Sequence, residues 1–280
     1  MSSDIRVWVN GGLVDPADRA ISAVDHGITV GDGVFETAKV VDGSVFALTR
    51  HADRLDRSLA GLGLPAADRS VVERGIAAVL AEPIGFGRLR WTVTAGLGPL
   101  GSDRGDSGYT YIVTVGPMPR PPASGGVVVV PWTRNERAAT AGLKTTSYAD
   151  NVVALAYAKE RGASEAIFAN TRGELCEGTG SNIFVVLGDE IVTPPLGRSG
   201  ALAGITRELV LQWCREDGIP IREEDLPIEV LAEADEVFIT SSTRDVMAVD
   251  CVDGRSLAVG PLTKAAAESF AGHGAQSMDP

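Results

Sequence analysis

Cysteine is scarce and poorly placed for pairing. Cys176, Cys214 and Cys251 are the only three. The odd count excludes a fully paired disulfide framework, and gaps of more than thirty residues exclude CxxC-type metal sites. They read as buried thiols of a reducing compartment. Histidine is as sparse: His26, His51 and His273 form neither HExxH nor a clustered ligand set, so no metal site is expected. Positive charge is in deficit, with 25 Lys+Arg against 37 Asp+Glu for a net charge of −12. Such a field repels polyphosphate backbones and anionic headgroups, so neither nucleic acid nor a membrane surface is an expected partner. Long apolar runs are missing too, and none approaches a bilayer span. The opening MSSDIRVWVNGG has no basic stretch followed by an apolar core and a cleavage site, so a cytoplasmic location is expected. What is present is ordinary globular material: 280 residues, 44% hydrophobic and 22% charged, enough for two cores.

The first 120 residues mix strand and helix signals. IRVWV, the Asn10-Gly11 pair and LV spell a hairpin, and VFETAKVV and SVFAL flank Asp42-Gly43 as a second. Thr49 can cap a helix bearing Leu55, Leu59 and Leu62, and Ser70 with Glu73 reads as a capping box. LRWTVTA and TYIVTV follow as strands. PMPRPPASGG has too many prolines and glycines for an element interior. It places an N-terminal domain at 1–118, a linker at 119–126 and a C-terminal domain at 127–280. The second domain should hold VVVVPW as a strand, a helix from about Tyr148 to Arg161, EAIFAN, a hairpin turning at Gly188-Asp189, a helix from Thr206, and EVFIT and VMAVDCV as strands. The tail AGHGAQSMDP is expected to fray. Without a strict βαβ period, two α/β domains are expected instead of one doubly wound sheet.

Gly96, Gly98 and Gly101 satisfy GxGxxG, but Pro99 interrupts them and SDRGDSG, a loop sequence, follows where pyrophosphate binding needs a helix to start. The segment reads as a plain loop. No Walker or GxSxG sequence occurs.

The informative stretch is EGTGSNIFVVLGDEIVTPPLGRSGALAGITR, from Glu177 to Arg207. Through Glu177, Thr179, Asn182-Ile183-Phe184, Ile191, Thr193, Leu202, Gly204, Ile205 and Arg207 it resembles the signature of class IV aminotransferases, the fold type IV pyridoxal phosphate enzymes. GDGVFE, HADRL from His51, GLKTTSY around Lys144 and FITSS from Phe238 stand in that family's order, so the resemblance spans nearly the whole chain. It implies a small N-terminal and a larger C-terminal α/β domain with pyridoxal 5'-phosphate at their interface. It also implies a homodimer acting on a small amino donor and a 2-oxo acid.

Such a cofactor needs a lysine to bond its aldehyde and move the substrate α-proton, a carboxylate to keep its ring nitrogen protonated, and an anchor for its phosphate. The resemblance assigns the first task to Lys144, in a small, hydroxyl-rich sequence where partial burial would favour a neutral amine. Glu177 takes the second. Arg54, the Gly204-Ile205-Thr206 helix start and Ser242 take the third, with free amides, helix dipole and hydroxyls converging on an anion. Asn182 and Phe184 read as architectural.

GDGVFETAKV, with Phe35 and Lys39 as substrate contacts, is similar to the D-amino acid transaminase and aminodeoxychorismate lyase branches more than to the branched-chain one. In bacillus-type D-amino acid transaminases an arginine and a histidine trap the α-carboxylate, where this chain has Thr94, Ala95 and Gly96. Lys39, Arg90 and Arg104 are the alternatives for that task. The expected activity is a transaminase for D-amino acids, extending to (R)-amines. The alternative is a lyase forming 4-aminobenzoate and pyruvate.

Overall fold

The computed structural model describes residues 4–280, which form two compact units. One holds the chain up to Arg120 together with Leu143–Ser147 and Met278–Pro280; the other holds Pro121–Gly142 and Tyr148–Ser277.

The first unit contains β1 (Arg6–Val9), β2 (Gly12–Val14), a single-turn α1 (His26–Thr29), β3 (Gly33–Val41), β4 (Ser44–Val45), α2 (Leu48–Gly61), α3 (Arg69–Val79), β5 (Phe86–Thr94) and β6 (Thr110–Pro117). Its six strands form an antiparallel sheet in the order β2-β1-β6-β5-β3-β4. The Asn10-Gly11 hairpin forms as the sequence predicts, both residues taking the positive φ that such a turn requires. One sheet face is apolar and carries Trp8, Val34, Ala38, Val40, Leu89, Trp91, Val113 and Val115. Leu55 and Leu59 of α2 and Val72 and Ile76 of α3, at helical spacing, pack into the same core.

Helix starts differ from the sequence reading. Asp68, not Ser70, caps α3, its carboxylate accepting from the Ser70 amide, because the helix begins one residue before the expected cap. The 95–109 segment has no helix, so the GxGxxG match is a loop.

The second unit contains β7 (Ser124–Arg134), α4 (Ala149–Glu160), β8 (Glu165–Asn170), β9 (Leu175–Gly178), β10 (Asn182–Leu187), β11 (Glu190–Thr193), α5 (Ile205–Glu216), β12 (Ile221–Glu223), α6 (Val230–Glu233), β13 (Glu236–Ser241), β14 (Asp245–Val252), β15 (Arg255–Ser256) and α7 (Pro261–Gly274). Its sheet runs β12-β11-β10-β13-β14-β7-β8-β9 with β15 on β14, and mixes parallel with antiparallel pairs. Alternation sends Ile183, Val185, Val237 and Ile239 into one core. Phe184 and Phe238, opposite each other in the ladder, point the other way and stack with centroids 4.6 Å apart. On β7 and β8, Val128, Val130 and Phe168 pack against Ala154 and Ala158 of α4.

Two expectations need correction. From Ser124 onward the 119–126 segment is strand, since its prolines end at Pro122 and Ser124–Gly126 pair with β14. The tail does not fray: α7 runs to Gly274, and Met278–Pro280 dock on α2.

Candidate active site

In the first unit Arg54 is held by a carboxylate that the sequence reading did not single out. Strand alternation turns Glu36 toward α2, into the core with Val34, Ala38 and Val40, and leaves it with no solvent exposure. A buried carboxylate needs partners, and α2 supplies two at i, i+3 spacing. His51 Nδ1 lies 2.7 Å from Oε2, and Arg54 donates from Nε to Oε1 at 2.8 Å and from Nη2 to Oε2 at 2.7 Å. Burial alone would push the Glu36 carboxyl up. The Arg54 charge and the hydrogen bonds from Arg54 and His51 outweigh it and hold the group at about 2. His51 moves down from its ordinary value because burial disfavours its charged form more than Glu36 favours it. A neutral His51 beside an ionised Glu36 carries its proton on Nδ1 and donates it to the carboxylate. The imidazole and the Trp91 ring meet edge to face.

Lys144 belongs to this unit through hydrogen bonding. Its carbonyl accepts from the Phe35 amide at 3.0 Å, its own amide donates to Ser58 Oγ at 3.2 Å, and the Thr146 amide donates to the Gly33 carbonyl at 2.8 Å. Leu143–Ser147 thus lies along the start of β3 as an added extended segment. Lys144 is buried, with Nζ 4.3 Å from the centre of the Phe35 ring, and the Arg90 guanidinium stands 3.6 Å from that ring centre. Lys39 shares the Phe35 face of β3, but its Nζ sits over Phe46. Phe35, Arg90 and Lys144 come together, and Lys39 is the outlying member. Arg104 is occupied by a bidentate pair with Asp32 and by the Leu62 carbonyl, which removes it as a carboxylate trap.

In the second unit, Glu177 stands on β9 with Oε2 accepting from the Leu202 amide at 2.9 Å and Oε1 3.4 Å from Arg134 Nε. The Arg134 guanidinium lies over Phe168 and donates to Asn151 Oδ1, and Asn151 Nδ2 donates to the Thr179 carbonyl. The carboxylate is therefore held from both sides. Leu202–Gly204 is pinned by Asn182, whose Nδ2 donates to the Leu202 carbonyl at 2.9 Å. Gly204 has to be glycine, because a Cβ there would stand 1.9 Å from Asn182 Oδ1. It is the N-cap of α5 and brings no side-chain cap, so the amides of buried Ile205 and Thr206 head a helix whose positive end is unsealed. This fits a phosphate-sized anion.

Ser242 lies in the turn between β13 and β14. That turn is tied down by Arg244, whose Nη2 donates to Glu165 and Nε to Ser241 Oγ. Glu165, fully buried, also accepts from the Thr179 amide and hydroxyl and from Ser181 Oγ. Sequence reasoning missed Glu36, Glu165, Arg134, Asn151 and Arg244. The available signal was a charged residue at an inward strand position, as in Val34-Glu36-Ala38 or at the start of EAIFAN.

Among the described residues no group of His, Cys, Asp and Glu could hold a metal ion, and no helix is long and apolar enough to cross a membrane. Residues 33–252 match the family described as amino-transferase class IV. The chain is 34% identical over 276 residues to a putative branched-chain-amino-acid aminotransferase of Methanocaldococcus jannaschii, covering 95% of each. It is 34% identical over 271 residues to a D-alanine aminotransferase of Bacillus licheniformis, covering 93% of this chain and 94% of that one. A hypothetical aminotransferase from Mycobacterium tuberculosis in its PLP-bound form superimposes with a TM-score of 0.84 at 26% identity, over 96% of this chain and 98% of that one.

Proposed function

This chain belongs to the class IV aminotransferases, with the fold type IV architecture, and we propose that within them it transfers an amino group from D-amino acids to 2-oxo acids, accepting (R)-amines more slowly. The observation that carries the reading is Lys144: a buried lysine, registered by backbone bonds against β3, whose amine contacts the Phe35 ring that the Arg90 guanidinium also contacts. An amine and a guanidinium in contact with one aromatic ring suit a substrate that brings a carboxylate next to its reacting carbon. The D-alanine aminotransferase of Bacillus licheniformis supports the choice of substrate.

The cofactor is pyridoxal 5'-phosphate, which when bound supplies an aldehyde to take up the amino group and a conjugated ring to stabilise charge on the substrate α-carbon. This chain's residues do the rest. Lys144 Nζ would hold the aldehyde covalently with loss of water, and, once displaced by the substrate amino group, would be free to move the α-proton. Glu177, held in place by the Leu202 amide and Arg134, would face the ring nitrogen and keep a proton on it. The Ile205 and Thr206 amides, the Thr206 and Ser242 hydroxyls and Arg54 would hold the phosphate. Phe35 shapes the substrate face, Arg90 binds the substrate carboxylate, and Lys39 adds positive charge nearby. The exposed apolar residues Ile28, Leu100, Val152 and Val153 support a homodimer, and three free cysteines suit the cytoplasm.

A second reading, a branched-chain aminotransferase, is favoured by the Methanocaldococcus jannaschii relative at equal identity. One experiment separates the readings. Holoenzyme is mixed with D-alanine, L-leucine, (R)-1-phenylethylamine or aminodeoxychorismate, and the cofactor spectrum and products are followed. The proposal requires D-alanine to convert the cofactor to pyridoxamine phosphate, with the amine slower and L-leucine poor. Fast conversion by L-leucine establishes the branched-chain reading. Pyruvate and 4-aminobenzoate from aminodeoxychorismate, with no amino form accumulating, establish the lyase.

A further inference from the structure

Helix α2 carries His51 and Arg54 yet brings no cap of its own. Ala47, at the N-cap position, is left-handed with φ 56° and ψ 40°, and no side chain there bonds the first turn. Thr49, the cap expected from sequence, lies inside the helix. The closure comes from the other end of the chain. The Met278 carbonyl accepts from the Ala47 amide at 2.7 Å. Asp279 accepts from the Thr49 amide at 2.9 Å and from its hydroxyl at 2.5 Å. The Pro280 carbonyl accepts from Arg50 Nε at 2.8 Å.

Asp279 does what an N-cap aspartate does, satisfying the second amide of the helix, but from 230 residues away. Its negative charge also sits at the positive end of the helix. The turn it closes leads directly into the buried cluster. The His51 amide makes the first intrahelical bond, to the Ala47 carbonyl at 3.1 Å, and Arg54 follows one turn later. Fraying of the first turn would therefore loosen His51 and then the Arg54 guanidinium from Glu36.

We propose that Met278–Pro280 is a tethered cap that orders α2, and that Asp279 is a positioning residue for the grip of Arg54 on the cofactor phosphate. The second half rests on the assignment of Arg54 given above. Asp279→Ala should raise amide exchange in the first turn of α2 and weaken pyridoxal phosphate binding about fivefold, the factor that loss of an ordinary N-cap corresponds to. Turnover at saturating cofactor should stay at the wild-type value. Asp279→Asn keeps an accepting oxygen and should restore most of both effects, whereas a chain ending at Ser277 should show both at least as strongly as Asp279→Ala.

The experiment measures hydrogen exchange of the cofactor-free chain and cofactor affinity by titration, for wild type, these variants and Arg54→Ala. Wild-type exchange in α2 of Asp279→Ala would overturn the cap. Faster exchange with unchanged affinity would overturn the positioning role, provided Arg54→Ala has lost affinity. If Arg54→Ala binds the cofactor as wild type does, the phosphate assignment fails and the coupling with it, while faster exchange still establishes the cap.

Discussion

Each unit buries one inward-pointing carboxylate on a strand, but the two supply its partners differently. Glu36 is answered by two side chains of a single helix, 15 and 18 residues away in sequence. Glu165 is answered by a loop at 179–181 and by Arg244, 79 residues away, with backbone amides filling the remaining acceptor sites. In the first unit the carboxylate aims rigid cationic and imidazole groups. In the second it closes irregular backbone around Glu177 and Ser242. A helix supplies stiff spacing, so Glu36 needs few partners; loops have none, so Glu165 needs many. The first arrangement is the more brittle, because its charges are almost entirely removed from water, whereas Arg244 keeps more solvent contact.

The largest expected effect breaks the first cluster. Glu36→Ala strands a buried guanidinium beside a buried imidazole and should cost about 3–5 kcal/mol, read from the denaturant midpoint. A loss near zero would mean that Arg54 finds solvent on its own. Glu165→Ala leaves one partly hydrated guanidinium and two hydroxyls to rearrange, so about 1–3 kcal/mol is expected. Exchange should quicken at 179–181 and 241–244 and stay unchanged in α2. If α2 responds, the two clusters are not independent.

Acid sharpens the contrast. Glu36 falls from 4.5 to about 2 on folding, so its contribution is complete above about pH 4.5 and is lost as pH drops toward 2. His51 is also depressed, from 6.5, so the unfolded chain binds a proton that the folded chain refuses and stability declines as pH falls below 6.5. Both act in the same direction. Urea midpoints should decrease from pH 7 to 4, and His51→Gln should flatten the upper part of that decrease. A wild-type profile flat over this range would contradict a buried neutral His51. The smallest effect is local: Asp68→Ala removes the cap of α3 and should lower the urea midpoint slightly, with cofactor affinity unchanged.

The same comparison explains what was legible in sequence. Hairpins at Asn10-Gly11 and Gly188-Asp189, the apolar spacing of Leu55 and Leu59 and the span of α4 are local signals, and they read correctly. Residues 33–252 match the family that the Glu177–Arg207 pattern resembles. Glu36 was within reach, since a charged residue between Val34 and Ala38 breaks the expected alternation. Glu165 with Arg244, and Asp279 on Thr49, were not: such pairs depend on chain ends and loops meeting after folding, and no periodicity encodes that meeting. The tail misled for the same reason, because Gly, Gln and Ser near an end read as frayed until the helix that needs them is known.

The chain has four lysines, Lys39, Lys144, Lys159 and Lys264, and only Lys144 is proposed to hold the cofactor. Borohydride reduction of the holoenzyme followed by peptide mapping tests this most directly. A pyridoxyl label is expected on Lys144 alone, with Lys144→Ala unlabelled and inactive. A label on Lys39, Lys159 or Lys264 in the wild-type chain would contradict it.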